Sequence, residues 1–261
     1  MQSDVRDGQT AIVTGAASGI GRAVAIRMAA DGTTVMCADV NKAGAEETVS
    51  AIRSDGGHAK AVTADVTDEA SVAAMVEASL AETGRLDAVV ANAGTMVEGD
   101  ILSLSLADWE RALRFNATAA FLTARATLPH LVESGDGALV FTSSTVALSG
   151  MKGVAGYSAA KGAVAALTRQ LAADFAERNV RVNAIAPGAV RTPLSESQFR
   201  ARARDEAHFD ELLDGVIQRY PIARWGMPEE IAELAAFLTG PGSRWMTGQI
   251  IPVDGGLLEL R

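Results

Sequence analysis

Tyr157 and Lys161 have the types and spacing to do proton chemistry. Four residues apart at the start of a helical stretch, they share one face. A phenol of pKa about 10 is a poor acid–base catalyst at neutral pH. A neighbouring ammonium favours the phenolate and lowers that value. Many chains carry a lysine four residues after some tyrosine, so the pair draws its weight from its surroundings.

A second feature is the run Thr14-Gly15-Ala16-Ala17-Ser18-Gly19-Ile20-Gly21. It falls where a β-branched run, Thr10–Thr14, gives way to a helical stretch, Ile20–Asp31. Glycines at such a junction allow a tight turn, a close approach of backbone to a pyrophosphate, and packing of helix on strand. The helix start then offers unbonded N–H groups and a positive dipole end to phosphate. Asp39 ends the next strand, eighteen residues after Gly21. Its carboxylate can accept from both adenosine ribose hydroxyls and would repel a 2′-phosphate, and the following Val40 is not a phosphate-binding arginine. These residues favour NAD over NADP, with Lys42 as the nearby opposing cation. The competing role for Asp39 is a cap on the helix that starts near Lys42.

These residues need a scaffold, and the rest of the chain alternates strand and helix. Strands are expected at Thr10–Thr14, Thr33–Asp39, His58–Thr63, Leu86–Ala91, Ala138–Thr142, Val180–Ala186 and Gln249–Val253. Helices are expected at Ile20–Asp31, Lys42–Ser54, Glu69–Glu82, Leu106–Leu131, Tyr157–Glu177 and Pro228–Leu238. The pattern predicts an α/β protein of Rossmann type, a seven-stranded parallel sheet with helices on both faces. No linker-like stretch or repeat interrupts it, so residues 1–261 read as one domain. The rhythm breaks between Thr192 and Tyr220, where Phe209, Leu212, Leu213, Val216 and Ile217 mark one helical face. An insertion there, about 192–220, reads either as a lid over a site or as a surface excursion. Arg200, Arg202 and Arg204 in it are followed at once by Asp205 and Glu206, which reads as a solvated mixed face.

The 261 residues carry a net charge of −9, which argues against nucleic acid and anionic membrane as partners. No apolar run is long enough to span a membrane. Met1–Thr10 holds Asp4, Arg6 and Asp7 and no apolar run, so no secretory signal is expected. Cys37 stands alone, which favours a reducing, cytoplasmic setting. His58, His130 and His208 show no metal-ligand spacing, so no metal is expected.

Over essentially its whole length the chain resembles the short-chain dehydrogenase/reductases of the compact, single-domain branch. Gly15, Gly19 and Gly21 match the family's glycine turn. Asn92-Ala93-Gly94 matches its N-A-G motif, with Ala91 where a second asparagine is usual. Ser144 precedes Tyr157 by the usual thirteen residues, and Asn116 lies at the place of the family's asparagine. Pro187-Gly188, Thr192 and Asp254-Gly255-Gly256 match later segments. The resemblance implies that Tyr157 acts as general acid or base, that Lys161 lowers its pKa and holds the nicotinamide ribose, that Ser144 bonds the substrate oxygen, and that Asn116 anchors a relay water. It further implies dinucleotide contacts from Gly15, Ser18, Gly19, Ile20 and Gly21, from Asp39, from Asp65 and Val66 at the adenine, and from Asn92, Ala93 and Gly94. Contacts are also implied from Pro187, Gly188, Val190 and Thr192 around the nicotinamide. Asp65 has the competing role of a helix cap, Asn116 that of a helix residue bonded to nearby backbone, and Ser144 that of a turn serine.

By the resemblance the pocket draws on Met96, Val97, the stretch Val146–Val154, Leu194 and the insertion, which are mainly apolar with Lys152 the main charge, so the substrate expected is a neutral secondary alcohol or ketone, a small molecule. A 3-oxoacyl thioester reductase using NADPH is the alternative within the family. Outside its dehydrogenase chemistry stand a non-catalytic cofactor-binding protein, an epimerase of the extended branch, for which the chain lacks a larger substrate domain, and a hydrolase. The last rests on Gly156-Tyr157-Ser158-Ala159-Ala160, a near match to a nucleophile elbow. The helix from Tyr157 is rich in small residues, Ala159, Ala160, Gly162, Ala163, Ala165 and Ala166, which either pack on the sheet or admit a partner helix; the resemblance implies pairing through it and the Leu106–Leu131 helix, so a homotetramer is expected, with a dimer as the second choice.

Overall fold

The computed structural model describes residues 8–260. The reading of Asp4, Arg6 and Asp7 against a leader lies outside them. Seven strands form one parallel sheet: β1 (Thr10–Thr14), β2 (Thr34–Asp39), β3 (Ala59–Thr63), β4 (Ala88–Ala91), β5 (Gly137–Thr142), β6 (Val180–Pro187) and β7 (Ile250–Val253), in the order β3-β2-β1-β4-β5-β6-β7. The chain reverses its direction of winding between β1 and β4. Loops leaving these two strands diverge, and a crevice opens at their C-terminal ends.

Side chains alternate across the sheet and feed two cores. Ala11 and Val13 of β1 face α1 (Gly19–Ala30), α2 (Lys42–Ser54) and α9 (Pro228–Thr239). Ile12 faces the other layer, α3 (Glu69–Thr83), α5 (Ala119–Ser134) and α6 (Ala155–Phe175). Ile12, Met28, Leu139, Phe141 and Leu238 are fully buried. Burial of each such side chain contributes about 1.5–3 kcal/mol.

Polar ties close the N-terminal edge of the sheet. Asp87, just before β4, accepts the Thr10 N–H at 2.8 Å and a two-point bond from Arg85. Arg181 of β6 is buried and donates to the carbonyls of Leu238, Gly240 and Ser243, where α9 ends. A cation there meets both the unbonded carbonyls and the negative end of the helix dipole.

Two segments differ from the sequence reading. The helix expected over Leu106–Leu131 is α4 (Leu106–Leu113), a π-helical turn at Arg114–Thr118, then α5. Such a turn adds a residue inside a helix and re-aims the side chains beside it. The insertion holds two helices, α7 (Pro193–Arg202) and α8 (Glu206–Ile217). The expected apolar face falls on α8, where Phe209 is buried. Without an apolar stripe, α7 gave no sequence signal; its start is fixed by the Thr192 hydroxyl, which accepts the Ser195 N–H at 3.1 Å.

Candidate active site

The turn after β1 works only with glycine. Gly15 and Gly19 have φ of 70° and 53°. A Cβ on Gly21 would lie 2.1 Å from the Gly15 carbonyl oxygen, and one on Gly15 would lie 2.9 Å from Asn92 Nδ2. Ser18 is the N-cap of α1 but makes no side-chain cap bond, which leaves the first N–H groups of α1, from Gly19 and Ile20 onward, turned to the crevice. Asp39 accepts the Ala17 N–H at 3.0 Å on one oxygen and the Asn41 N–H at 2.8 Å on the other. Asn41, and not Asp39, caps α2. Each Asp39 oxygen keeps acceptor capacity. The cations near by are engaged elsewhere: Arg22 bonds Thr48, the Gly44 carbonyl and Glu47, and Lys42 pairs with Glu46 at 3.7 Å.

Beyond β3, Asp65 is exposed and accepts both the N–H and the hydroxyl of Thr67, which hold its carboxyl below the usual range. The cap of α3 is Asp68, so the cap role considered for Asp65 falls to its neighbour. Val66 follows at the same rim. Between β1 and β4, the Thr14 hydroxyl accepts the N–H groups of Asn92 and Ala93, and Asn92 Nδ2 donates to the Thr14 carbonyl. Thr142 of β5 donates to Asn92 Oδ1. The N-A-G segment is thus tied to three strand ends.

Tyr157, Lys161, Ser144 and Asn116 come together at the ends of β4 and β5. Ser144 begins a short 3-10 turn, Thr145–Ala147, directly after β5, and its hydroxyl is bonded to the Tyr157 phenol. Burial pushes that phenol up to about 12, and the Ser144 bond opposes the rise. Lys161 is buried. Its Nζ donates to the Thr142 carbonyl at 2.8 Å and lies 5.7 Å from the centre of the Tyr157 ring. Burial draws its ammonium down to about 8. Asn116 sits inside the π turn. Its Nδ2 donates to the carbonyls of Thr95 and Ala112, which includes the local bond considered above, while its Oδ1 is buried with no partner. A Cβ on Gly94 would lie 2.6 Å from that Oδ1 and 3.5 Å from Lys161 Nζ. Glycine at 94 therefore keeps open the space between the two groups. A small cavity lined by Thr14, Ala93, Asn116, Thr142 and Lys161 adjoins it.

Opposite, Pro187 ends β6 and Gly188 follows. A Cβ on Gly188 would lie 2.9 Å from the Tyr220 ring. The Tyr220 hydroxyl accepts the Ala189 N–H, and Val190 pairs with Gly226. Thr192, at the start of the insertion, lies against the glycine turn, 3.2 Å from where a Gly19 Cβ would be.

Ser158 belongs to the first turn of α6, and no strand precedes it. Its hydroxyl donates to the Val146 carbonyl at 2.7 Å. His208, on α8, accepts the Arg204 N–H. This overturns the nucleophile-elbow reading: Ser158 anchors the 3-10 turn that carries Ser144. Sequence reasoning missed Thr14 and Thr142, which each act through a hydroxyl and a carbonyl, and Tyr220, which acts through its hydroxyl. Thr14 and Thr142 are polar residues at the C-terminal ends of strands with apolar centres, a usable signal; Tyr220 left none.

The family model described as enoyl-(acyl carrier protein) reductase matches residues 15–258. The chain is 40 % identical to the cis-4-hydroxycyclohexanecarboxylate dehydrogenase of Sinomonas cyclohexanicum, over 95 % of this chain and 96 % of that one. It is 33 % identical to the 3-oxoacyl-(acyl-carrier-protein) reductase FabG of Thermotoga maritima, over 97 % and 98 %. A crystal structure of an actinorhodin polyketide ketoreductase with NADPH superimposes with a TM-score of 0.91 at 33 % identity, covering 96 % of this chain and 97 % of that one. The chain belongs to the short-chain dehydrogenase/reductase family.

Proposed function

We propose that the protein interconverts a secondary alcohol and a ketone with NAD as the hydride carrier. The observation that carries this is the convergence of a Ser144-bonded phenol, a buried ammonium and an unpartnered buried amide oxygen at one strand end. A dinucleotide fits the crevice, because only glycine is tolerated at the turn and α1 presents unbonded N–H groups there. Gly15, Ser18, Gly19, Ile20 and Gly21 would hold its pyrophosphate. Asp39 would hold the adenosine ribose, Asp65 and Val66 the adenine, and Asn92, Ala93 and Gly94 the passage between strand ends. Pro187, Gly188, Val190 and Thr192 would enclose the nicotinamide. When bound, that group supplies or accepts the hydride.

The rest of the chemistry is the protein's. Ser144 positions the substrate oxygen and supports charge on it. Tyr157 donates its proton to that oxygen in reduction and takes it in oxidation. Lys161, charged and bonded to the Thr142 carbonyl, lowers the cost of the phenolate. Asn116 Oδ1 offers a water its second partner beside Lys161, which is a route for the proton to leave. Burial by itself holds the phenol near 12, so the phenolate depends on the positive charge brought beside it.

Ala16, Ala17 and Val40 leave the Asp39 rim without a cation, which supports NAD. A 3-oxoacyl thioester reductase using NADPH is the second reading, favoured by the FabG relative and the NADPH-bound neighbour. Residues 192–220 are read as a lid, since Thr192 touches the turn. A homotetramer is supported by exposed Ala159, Ala163 and Ala166 on α6 and by Phe115 and Phe121 on the adjoining helical run, 38 % and 45 % exposed. No helix among the described residues is long and apolar enough to cross a membrane. Cytoplasmic location is part of the proposal.

The test is reduction of NAD and of NADP over secondary alcohols, polyols, hydroxysteroids and 3-hydroxyacyl thioesters. Turnover with kcat/KM at least tenfold higher for NAD is expected. A preference for NADP with thioesters alone would establish the second reading.

A further inference from the structure

The structure separates the three lid arginines that the sequence presents as one charged face. Arg200 is committed to Glu206 through two bonds, 2.7 and 3.2 Å, and lies over the Phe209 ring. Arg204 turns back on His208. Arg202 is held differently. Its Nε donates to the Gln198 carbonyl at 3.2 Å, and its guanidinium lies 4.3 Å over the Phe199 ring, which meets Trp225 edge-on. These contacts fix the plane of the guanidinium and leave its outer nitrogens facing the loop that follows Gly94. There it meets Glu98 at 3.5 Å, an ion pair with no hydrogen bond. Apart from Arg191–Glu196 at the entry to the insertion, no other ion pair among the described residues joins residues 192–220 to the rest of the protein.

A second cation is carried by the segment bonded to the Glu98 loop. Gly99, next to Glu98, donates its N–H to the Gly153 carbonyl at 2.8 Å, and Ala155 returns a bond to Gly99. Lys152, adjacent to Gly153, is exposed and has neither ion pair nor hydrogen bond. The other carboxylate of the loop, Asp100, is turned onto the amides of Leu102 and Ser103. Val154 pairs with Gly99, and three residues further on α6 presents Tyr157. A protein of net charge −9 therefore carries two cations and one loosely held carboxylate on the insertion and on the two bonded loops that lead to its phenol.

We propose that the substrate carries a carboxylate, or an anion of like shape, remote from the reacting carbon, and that Arg202 receives it with Lys152 as the second cation. This replaces the neutral substrate expected from sequence and rests on the alcohol–ketone reading above. A guanidinium with a fixed plane suits two-point recognition of a carboxylate. Glu98 holds that plane until substrate takes its place.

The test is calorimetric titration of the protein–NADH complex with cyclohexanecarboxylate and with its uncharged methyl ester. Neither ligand can react, so binding is read without turnover. The carboxylate is expected to bind at least tenfold more tightly than the ester. Arg202→Met should abolish that preference, Lys152→Met should reduce it severalfold, and Arg202→Lys should restore part of it. Glu98→Gln removes the competing charge and should tighten carboxylate binding, a gain that misfolding cannot mimic. A carboxylate bound no better than its ester, or a preference intact in Arg202→Met, overturns the proposal and leaves the alcohol–ketone reading standing. Failure of the wild-type protein to bind NADH overturns that reading and this one with it.

Discussion

The two edges of the sheet put their polar groups to different uses. At the N-terminal edge they tie elements together: Asp87 accepts from the Thr10 amide and Arg85, and Arg181 donates to the carbonyls that end α9. At the C-terminal edge the protein tolerates what stability alone would remove. Asn116 Oδ1 is buried without a partner, Lys161 is drawn down to about 8, and a π turn interrupts a long helix. A buried polar group without a partner costs about 1–3 kcal/mol. A lone unpartnered atom does not mark a site, since Thr33 Oγ1, just before β2, is buried without a hydrogen bond as well; what marks the chemistry is that Asn116 Oδ1, the Lys161 ammonium and the π turn fall together at one strand end.

Substitutions can break that contrast. The largest expected effect is Tyr157→Phe, which should cut turnover by roughly 10²–10⁴ while the melting temperature and NADH affinity hold. A melt lowered as far as the activity would place Tyr157 among the structural residues. At the opposite edge, Arg181→Met should cost about 3 kcal/mol in denaturant unfolding, since several buried carbonyls lose their donor. The KM for NAD should stay within about twofold, because the change lies at the far end of the sheet. Next comes Asn116→Ser, expected to lower kcat by about tenfold and to steepen its dependence on solvent deuterium, as interruption of a relay within acid–base catalysis requires. An unchanged isotope response would assign Asn116 to holding Thr95 and Ala112 only.

The smallest effect is one of pH. Below about 8, Lys161 is charged in folded and unfolded chains alike, and folding bears the full cost of burying that charge. Between about 8 and 10.5 the folded chain releases the proton while the unfolded chain keeps it, so stability rises with pH over that window. Relative to Lys161→Met, the wild-type protein should therefore gain melting temperature from pH 8 to 10. A constant difference would mean that Lys161 is not desolvated.

The strand–helix alternation was legible because each β-branched run is bounded by glycine or polar residues and each helix follows with its own period. The glycine turn was legible for a steric reason, since nothing else fits beside the Gly15 carbonyl. The π turn was not, because a single added residue leaves the apolar spacing of Leu106–Leu131 nearly unchanged. Helix α7 was hidden by its polarity; only Thr192 and Pro193 mark its start. Of the site, residue types and spacing pointed to Tyr157 and Lys161, and the family resemblance implied Ser144 and Asn116. The partners that set their behaviour are backbone carbonyls, Thr142 to Lys161 and Val146 to Ser158, which a sequence does not display. The separate duties of Arg200, Arg202 and Arg204 depend on which aromatic ring or acid each one meets, a matter of three-dimensional placement.

The central claim is that hydride passes between a substrate carbon and NAD while Tyr157 moves the proton. Its most direct test uses the secondary alcohol turned over fastest in the panel, deuterated at the carbinol carbon, with NAD. The account predicts that the label appears in the reduced nicotinamide, that the rate of the chemical step falls with deuteration, and that Tyr157→Phe slows the transfer by roughly 10²–10⁴ without releasing the cofactor. Reduced cofactor formed without label, transfer at the wild-type rate in Tyr157→Phe, or no turnover of any alcohol by a protein that binds NADH would contradict it.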